Sequence, residues 1–245
     1  MDYLNYGKSK SQPQSPAPQS PAENRIEQQK DFPRLKKQSQ VLLLFPTTVC
    51  ISTPYADDYS SELEWVKTLE MRGNGYCDTV LCQNNRSSKN TNVLENPIMA
   101  NIRSFIEVQL SSFASEIMRY KEEFVITQSW INMNGANEQH HPHAHANSIL
   151  SGVFYLQVDR ESPPIAFSNP YEKNIQLEPI DYNSYNGETH MLNVSDGELI
   201  LFPSHFRHSV PPNNGDRERI SLSFNTWVRG ALGSIESLTY LPKID

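Results

Sequence analysis

The segment Arg219-Ile220-Ser221-Leu222-Ser223-Phe224-Asn225 alternates without a break. Successive side chains of an extended strand point to opposite faces, so Ile220, Leu222 and Phe224 share one side and Arg219, Ser221, Ser223 and Asn225 the other. The apolar row can bury against a core while the polar row lines a cavity or meets solvent. Upstream, short runs rich in Val, Ile, Phe, Tyr and Trp repeat this texture at Phe124–Met133, Ile149–Val158, Pro164–Phe167, His190–Val194, Glu198–Phe202 and Arg207–Val210. Turn-forming Asn134-Gly135, Pro163-Pro164, Asp196-Gly197 and Asn213-Asn214-Gly215 separate them. Strands in series with no helical pattern between them predict a β-sandwich or jelly roll.

Two helical patterns precede the strands. Asp57 to Arg72 reads as a helix, with Asp57 and Asp58 at its start and Leu63, Trp65, Val66 and Leu69 at helical spacing. A longer helix follows Pro97, its stripe made by Ile102, Phe105, Ile106, Val108, Leu110, Phe113, Ile117 and Met118. Both are expected to pack outside the sheets, within residues 56–120. Cys82–Asn92 reads as polar loop, and order is expected from the apolar run Val41–Phe45.

Residues 1–39 differ from the rest: Pro13, Pro16, Pro18, Pro21 and Pro33 stand among Ser and Gln, and seven Lys/Arg face four acids. Few large apolar side chains are available there to offset the entropy of ordering, so a basic, disordered arm is expected, with residues 40–245 forming the folded domain. The whole chain of 245 residues carries a net charge of −7, which gives no general reason to expect nucleic-acid binding. No apolar run reaches membrane-spanning length, and the first twenty residues hold no apolar core of the signal-peptide kind. Three cysteines (Cys50, Cys77, Cys82) then point to reduced thiols in a cytoplasmic setting. Cys77-x4-Cys82 has the count of a zinc half-site but no second pair to complete it.

Four of the seven histidines fall within six residues, His140, His141, His143 and His145, and His205 and His208 follow Leu199–Pro203. Imidazole is the commonest metal-ligating side chain. In a strand, His143 and His145, or His141 and His143, share a face, and a third histidine from another strand would complete a triad with open positions. A solvent-exposed, His-rich turn is the alternative. Arg219 could anchor a carboxylate through its planar fork, or form a surface ion pair. Tyr155 could face the cavity or pack in the core. His140 and His141 read as residues flanking the site, and His205 as part of its mouth.

The succession Ser129-Trp130-Ile131-Asn132, then His143-Ala144-His145 through Ser151-Gly152-Val153-Phe154-Tyr155-Leu156, then Gly197-Glu198-Leu199-Ile200-Leu201-Phe202-Pro203-Ser204, His208-Ser209-Val210 and Arg219-Ile220-Ser221 resembles the 2-oxoglutarate/Fe(II)-dependent oxygenases. Within them it is most similar to a group found in bacteria and phages. The resemblance runs over roughly residues 42–228. It implies a mainly β, α+β chain folded as a double-stranded β-helix, or jelly roll, with flanking N-terminal helices. It further implies Fe(II) held by His143 and His208, and 2-oxoglutarate bound by Arg219 and Ser221, with Asn132 either bonding the co-substrate or capping a strand end. Hydroxylation of an unidentified substrate by O2, with release of succinate and CO2, is the reaction implied. The setting would be cytoplasmic (the host's, for a phage protein), and the oligomeric state is left open, a homodimer included.

His145 departs from the superfamily's His-x-Asp/Glu pattern. With three neutral histidines an Fe(II) centre keeps its +2 charge, whereas one carboxylate would leave +1. His145 is expected as the third ligand; a supporting role beside the ligands, or an acid from elsewhere, are the other readings. Two further classes fit the histidines: a three-His cupin-type dioxygenase that does not use 2-oxoglutarate, and a non-catalytic metal-binding jelly roll.

Overall fold

The alternating segments form strands in two facing sheets, antiparallel except where the short strand Gln83–Asn84 pairs in parallel with Glu138–His143. The computed structural model describes residues 44–74, 83–171, 175 and 177–243, and all of these lie in Leu35–Asp245, the second of two units into which the chain divides. The expected arm over 1–39, Val41–Leu43, Cys77 and Cys82 lie outside the described residues. In chain order the strands are β1 (Cys50–Ile51), β2 (Met71–Gly73), β3 (Gln83–Asn84), β4 (Arg86–Ser88), β5 (Phe124–Asn134), β6 (Glu138–His143), β7 (Leu150–Gln157), β8 (Ile165–Ser168), β9 (Thr189–Leu192), β10 (Leu199–Pro203), β11 (His208–Val210) and β12 (Arg219–Val228). One sheet runs β1-β10-β7-β12-β5-β4-β2 and the other β3-β6-β11-β8-β9. This is the expected jelly roll.

The two faces of the first sheet bury against different partners, which is why β7 is buried at every position. Outside, Ile131, Phe154, Leu201, Leu222 and Phe224 pack with Ile102, Ile106, Leu110 and Phe113 of the helical layer. Inside, Val153, Tyr155, Ile200 and Phe202 meet Ile165, Phe167 and Phe206 across the sandwich. Gly152 is required where it stands. A Cβ there would lie 2.2 Å from the ring of Phe224, its register partner on β12.

The helical layer is shorter than its patterns predict. Helix α1 spans Ser60–Lys67, entered through the Asp58 carboxylate accepting from Ser60 N–H at 3.0 Å. It closes when Thr68 and Leu69 N–H turn back to the carbonyls of Trp65 and Val66, after which Met71–Gly73 pairs with β4 as a strand. Helix α2 spans Ala100–Ser112 and continues as a π turn over Phe113–Ile117. Val108 lies two residues, about 200°, around the helix from Ile106, so it faces solvent, as does Ile117. Leu44 and Phe45 are likewise exposed and do not start the core. The polar stretch 82–92 is not simply loop: it supplies β3 and β4, with Asn85, Ser87 and Ser88 buried. Among the described residues no helix is long and apolar enough to cross a membrane.

Candidate metal centre

Sheet pairing brings the distant histidines together. His143 ends β6 and His208 begins β11, and the two are direct register partners. His145 lies two residues further on, where its N–H donates to Ser204 O at 2.9 Å and ties it to the loop after β10. One ligand-capable atom from each of His143, His145 and His208 lies within 4.8 Å of the others, and no Asp or Glu among the described residues belongs to the group.

The outer ring nitrogens decide what the group presents. His143 Nδ1 lies 2.8 Å from His141 O, His208 Nδ1 3.0 Å from Phe206 O, and His145 Nδ1 2.5 Å from Asn225 Oδ1. Each partner is an oxygen acceptor, so each Nδ1 carries the proton and each Nε2 keeps a lone pair. Asn225 Oδ1 also accepts from Ser151 Oγ at 2.9 Å, and Ser151 Oγ lies 2.7 Å from Ser204 Oγ. Buried His145 Nε2 has no hydrogen-bond partner. Burial holds His208 down at about 3 and His143 at about 4, with neighbouring imidazoles adding to the effect, and also lowers His145. All three are therefore neutral at pH 7, as metal ligands must be. The donor set fits one divalent transition metal with nitrogen ligands.

From the triad a narrow chamber runs inward between the sheets to Arg219, past Asn132, Tyr155 and Ser221. Arg219 is 2% exposed and makes no ion pair with any described acid. Its guanidinium carbon stands 5.0 Å from the centre of the Tyr155 ring, Nη1 is 3.4 Å from Ser221 Oγ, and Nε is buried without a partner. Burial depresses its pKa, and Tyr155 partly restores it. An interior cation without a counter-ion is costly, so the site fits an anion the chamber would admit. Asn132 sits within β5, where Oδ1 accepts from Ser87 Oγ at 2.9 Å and Nδ2 donates to Ser223 Oγ at 3.0 Å, so it is not a strand-end cap.

The structure separates the remaining histidines. His205 is exposed and lines neither cavity, contrary to expectation, and His190 lies exposed on β9. His140, expected to flank the site, lines the chamber with its ring stacked on His143 at 4.4 Å. Asn134, the register partner of Arg219, is fully buried with neither amide atom bonded. The chamber opens past Trp130, which stacks on His145 at 5.7 Å, into a cleft of about 510 Å³ whose described lining holds Arg72 and no acid.

Fold and triad together give a jelly roll in which three imidazoles that fit a metal face a buried guanidinium along one chamber. Residues 128–225 match the family described as "Putative 2OG-Fe(II) oxygenase". The fold is similar to that of an oxidoreductase of the 2OG-Fe(II) oxygenase family from Burkholderia pseudomallei, at 13% identity over 73% of this chain and 83% of that one, with a TM-score of 0.51. It is also similar to the α-ketoglutarate-dependent epimerase SnoN of nogalamycin biosynthesis (13%, 74% and 78%, 0.55). HygX from Streptomyces hygroscopicus, solved with nickel, 2-oxoglutarate and hygromycin B bound, is similar too (9%, 74% and 82%, 0.53). No curated protein matches. The matched segment holds all six candidate site residues.

Proposed function

We propose that this protein is a 2-oxoglutarate- and Fe(II)-dependent dioxygenase that hydroxylates an unidentified substrate, releasing succinate and CO2. The observation that carries this reading is the single chamber with three Nε2 lone pairs at one end and an unpaired, buried guanidinium at the other. His143, His145 and His208 would hold the iron, and Arg219 and Ser221 the distal carboxylate of the co-substrate. Asn132 has committed Oδ1 to Ser87 and one N–H to Ser223, which leaves its second N–H for the acid. When bound, iron(II) supplies the redox chemistry that couples O2 to decarboxylation of the keto acid.

The chain's own residues account for binding and orientation. Asn225, Phe206 O and His141 O fix the ligating tautomers before metal arrives. Phe202 packs edge-on against His208 at 4.7 Å and, with Phe167, keeps water from that side of the centre. Three neutral imidazoles leave a bound divalent ion at +2, so a dianionic acid neutralises it. That charge balance favours co-substrate binding despite the missing carboxylate.

The test is aerobic conversion of 2-oxoglutarate to succinate by the protein with and without Fe(II), beside an anaerobic 2-oxoglutarate titration. Iron-dependent succinate is expected. Iron and O2 dependence without 2-oxoglutarate binding would instead favour a cupin-type enzyme.

A further inference from the structure

The chamber holds a fourth imidazole whose proton lies on the opposite nitrogen. Along β6 and β11, His208 pairs with His143 and Val210 with His140, so three steps on β6 oppose two on β11. That bulge turns His140 and His143 to the same side, although residues three apart on a regular strand face opposite ways. The His140 ring accordingly stacks on His143 at 4.4 Å and 28°, and borders both the chamber and the outer cleft.

A polar chain fixes its tautomer. Asn74 Nδ2 donates to Asn85 Oδ1 at 2.9 Å and to Ser87 Oγ at 2.8 Å. With Oδ1 taken by a donor, Asn85 must turn its Nδ2–H toward His140 Nδ1, 3.4 Å away. His140 Nδ1 is then an acceptor and the ring proton sits on Nε2, the reverse of His143, His145 and His208. His140 falls on β6 between the turn at Asn134–Glu138, level with Arg219, and the triad. It therefore faces the middle of the chamber with a donor where the triad presents lone pairs.

We propose that His140 is a further binding residue, which donates Nε2–H to a carboxylate oxygen of the 2-oxoglutarate lying between Arg219 and the three metal-facing imidazoles. This rests on the dioxygenase reading above.

The first test needs no metal. Two-bond 1H–15N correlation spectra of the metal-free, 15N-histidine-labelled protein are expected to show His140 as the Nε2–H tautomer and His143, His145 and His208 as Nδ1–H. Asn85→Asp, which replaces the donor with an acceptor, should switch His140 alone. An Nδ1–H form of His140 in the wild type overturns the proposal. The second test is the 2-oxoglutarate dissociation constant of the anaerobic Fe(II) protein. His140→Phe keeps the stacked ring without a donor and should weaken binding about tenfold to a hundredfold, with Fe(II) affinity unchanged. His140→Gln, whose amide places an N–H near the same point, should recover part of the loss. Unchanged 2-oxoglutarate affinity in His140→Phe overturns the inference alone, as does loss of Fe(II), which would make His140 a ligand. Failure of the wild type to bind 2-oxoglutarate overturns the dioxygenase reading as well.

Discussion

His145 Nδ1 stands 2.5 Å from Asn225 Oδ1, so His145 is oriented by the last polar residue of the row that begins with Arg219. Ser151 Oγ donates to the same oxygen at 2.9 Å and holds the amide in place. One face of β12 thus bears on both ends of the chamber.

Asn225→Leu is expected to lower metal affinity roughly 10- to 100-fold, because the imidazole loses both its tautomer and its aim. Asn225→Asp, which still accepts from Nδ1–H, should keep most of it. Anaerobic Fe(II) or Co(II) titration measures both. Equal affinities in the wild type and Asn225→Leu would show that His145 needs no such support.

Removing a ligand is a harsher change. Alanine at His143, His145 or His208 should abolish tight stoichiometric metal binding, whereas His205→Ala, at an exposed position three residues from His208, should not. His145→Asp should retain the metal, since a carboxylate there offers an oxygen ligand in place of the imidazole. Tight binding in His145→Ala would leave His145 a supporting residue.

For Arg219→Ala, the anaerobic Fe(II) protein should bind 2-oxoglutarate about 30- to several-thousand-fold more weakly, equivalent to roughly 2–5 kcal/mol. Arg219→Lys should recover only part, since an ammonium cannot offer the planar fork. Iron affinity should survive both changes. An unchanged dissociation constant in Arg219→Ala would remove the anion site from the mechanism.

Acid should destabilise the metal-free protein. The folded values of His208 (about 3) and His143 (about 4) lie below the ordinary 6.5 of an unfolded histidine. Above that value neither state binds the proton, and the full stability is present. As pH falls below it the unfolded chain takes up protons that the folded chain refuses, so stability declines progressively toward pH 3. For buried His208 alone the loss at pH 5 is on the order of 2 kcal/mol. Urea midpoints at pH 8 and pH 5 test this, and a higher midpoint at pH 5 would contradict it.

Gly152→Ala probes the packing of sheet on helices. A methyl group 2.2 Å from the Phe224 ring and 2.8 Å from Leu201 must push both aside, at a cost of about 1–3 kcal/mol. The melting temperature should fall, and no change would mean that the β7–β12 contact is looser than it stands here.

Strands β5 and β7 to β12 were legible because period-two alternation is a local property, each residue's face following from its neighbour's, whereas β6 was not read as a strand. The same rule put Arg219, Ser221, Ser223 and Asn225 in one row and His143 beside either His141 or His145, and family resemblance singled out His143 and His208. Helix ends were less legible. Nothing in Thr68-Leu69-Glu70 announces that Met71–Gly73 will pair with Arg86–Ser88, and that pairing ends α1. Tertiary structure alone decided what lies around the imidazoles. Asn85 and Ser87 come from a stretch that looks like polar loop, and reach His140 and Asn132 only through strands separated by about half a hundred residues. His140 looks like a bystander because its turn into the chamber comes from a one-residue mismatch between β6 and β11. A bulge is a property of the paired strands, so neither strand's sequence carries it alone. Burial of Arg219 without a counter-ion is likewise a fact about the whole sandwich: the alternating row places the guanidinium on a face, and only the second sheet closes water out.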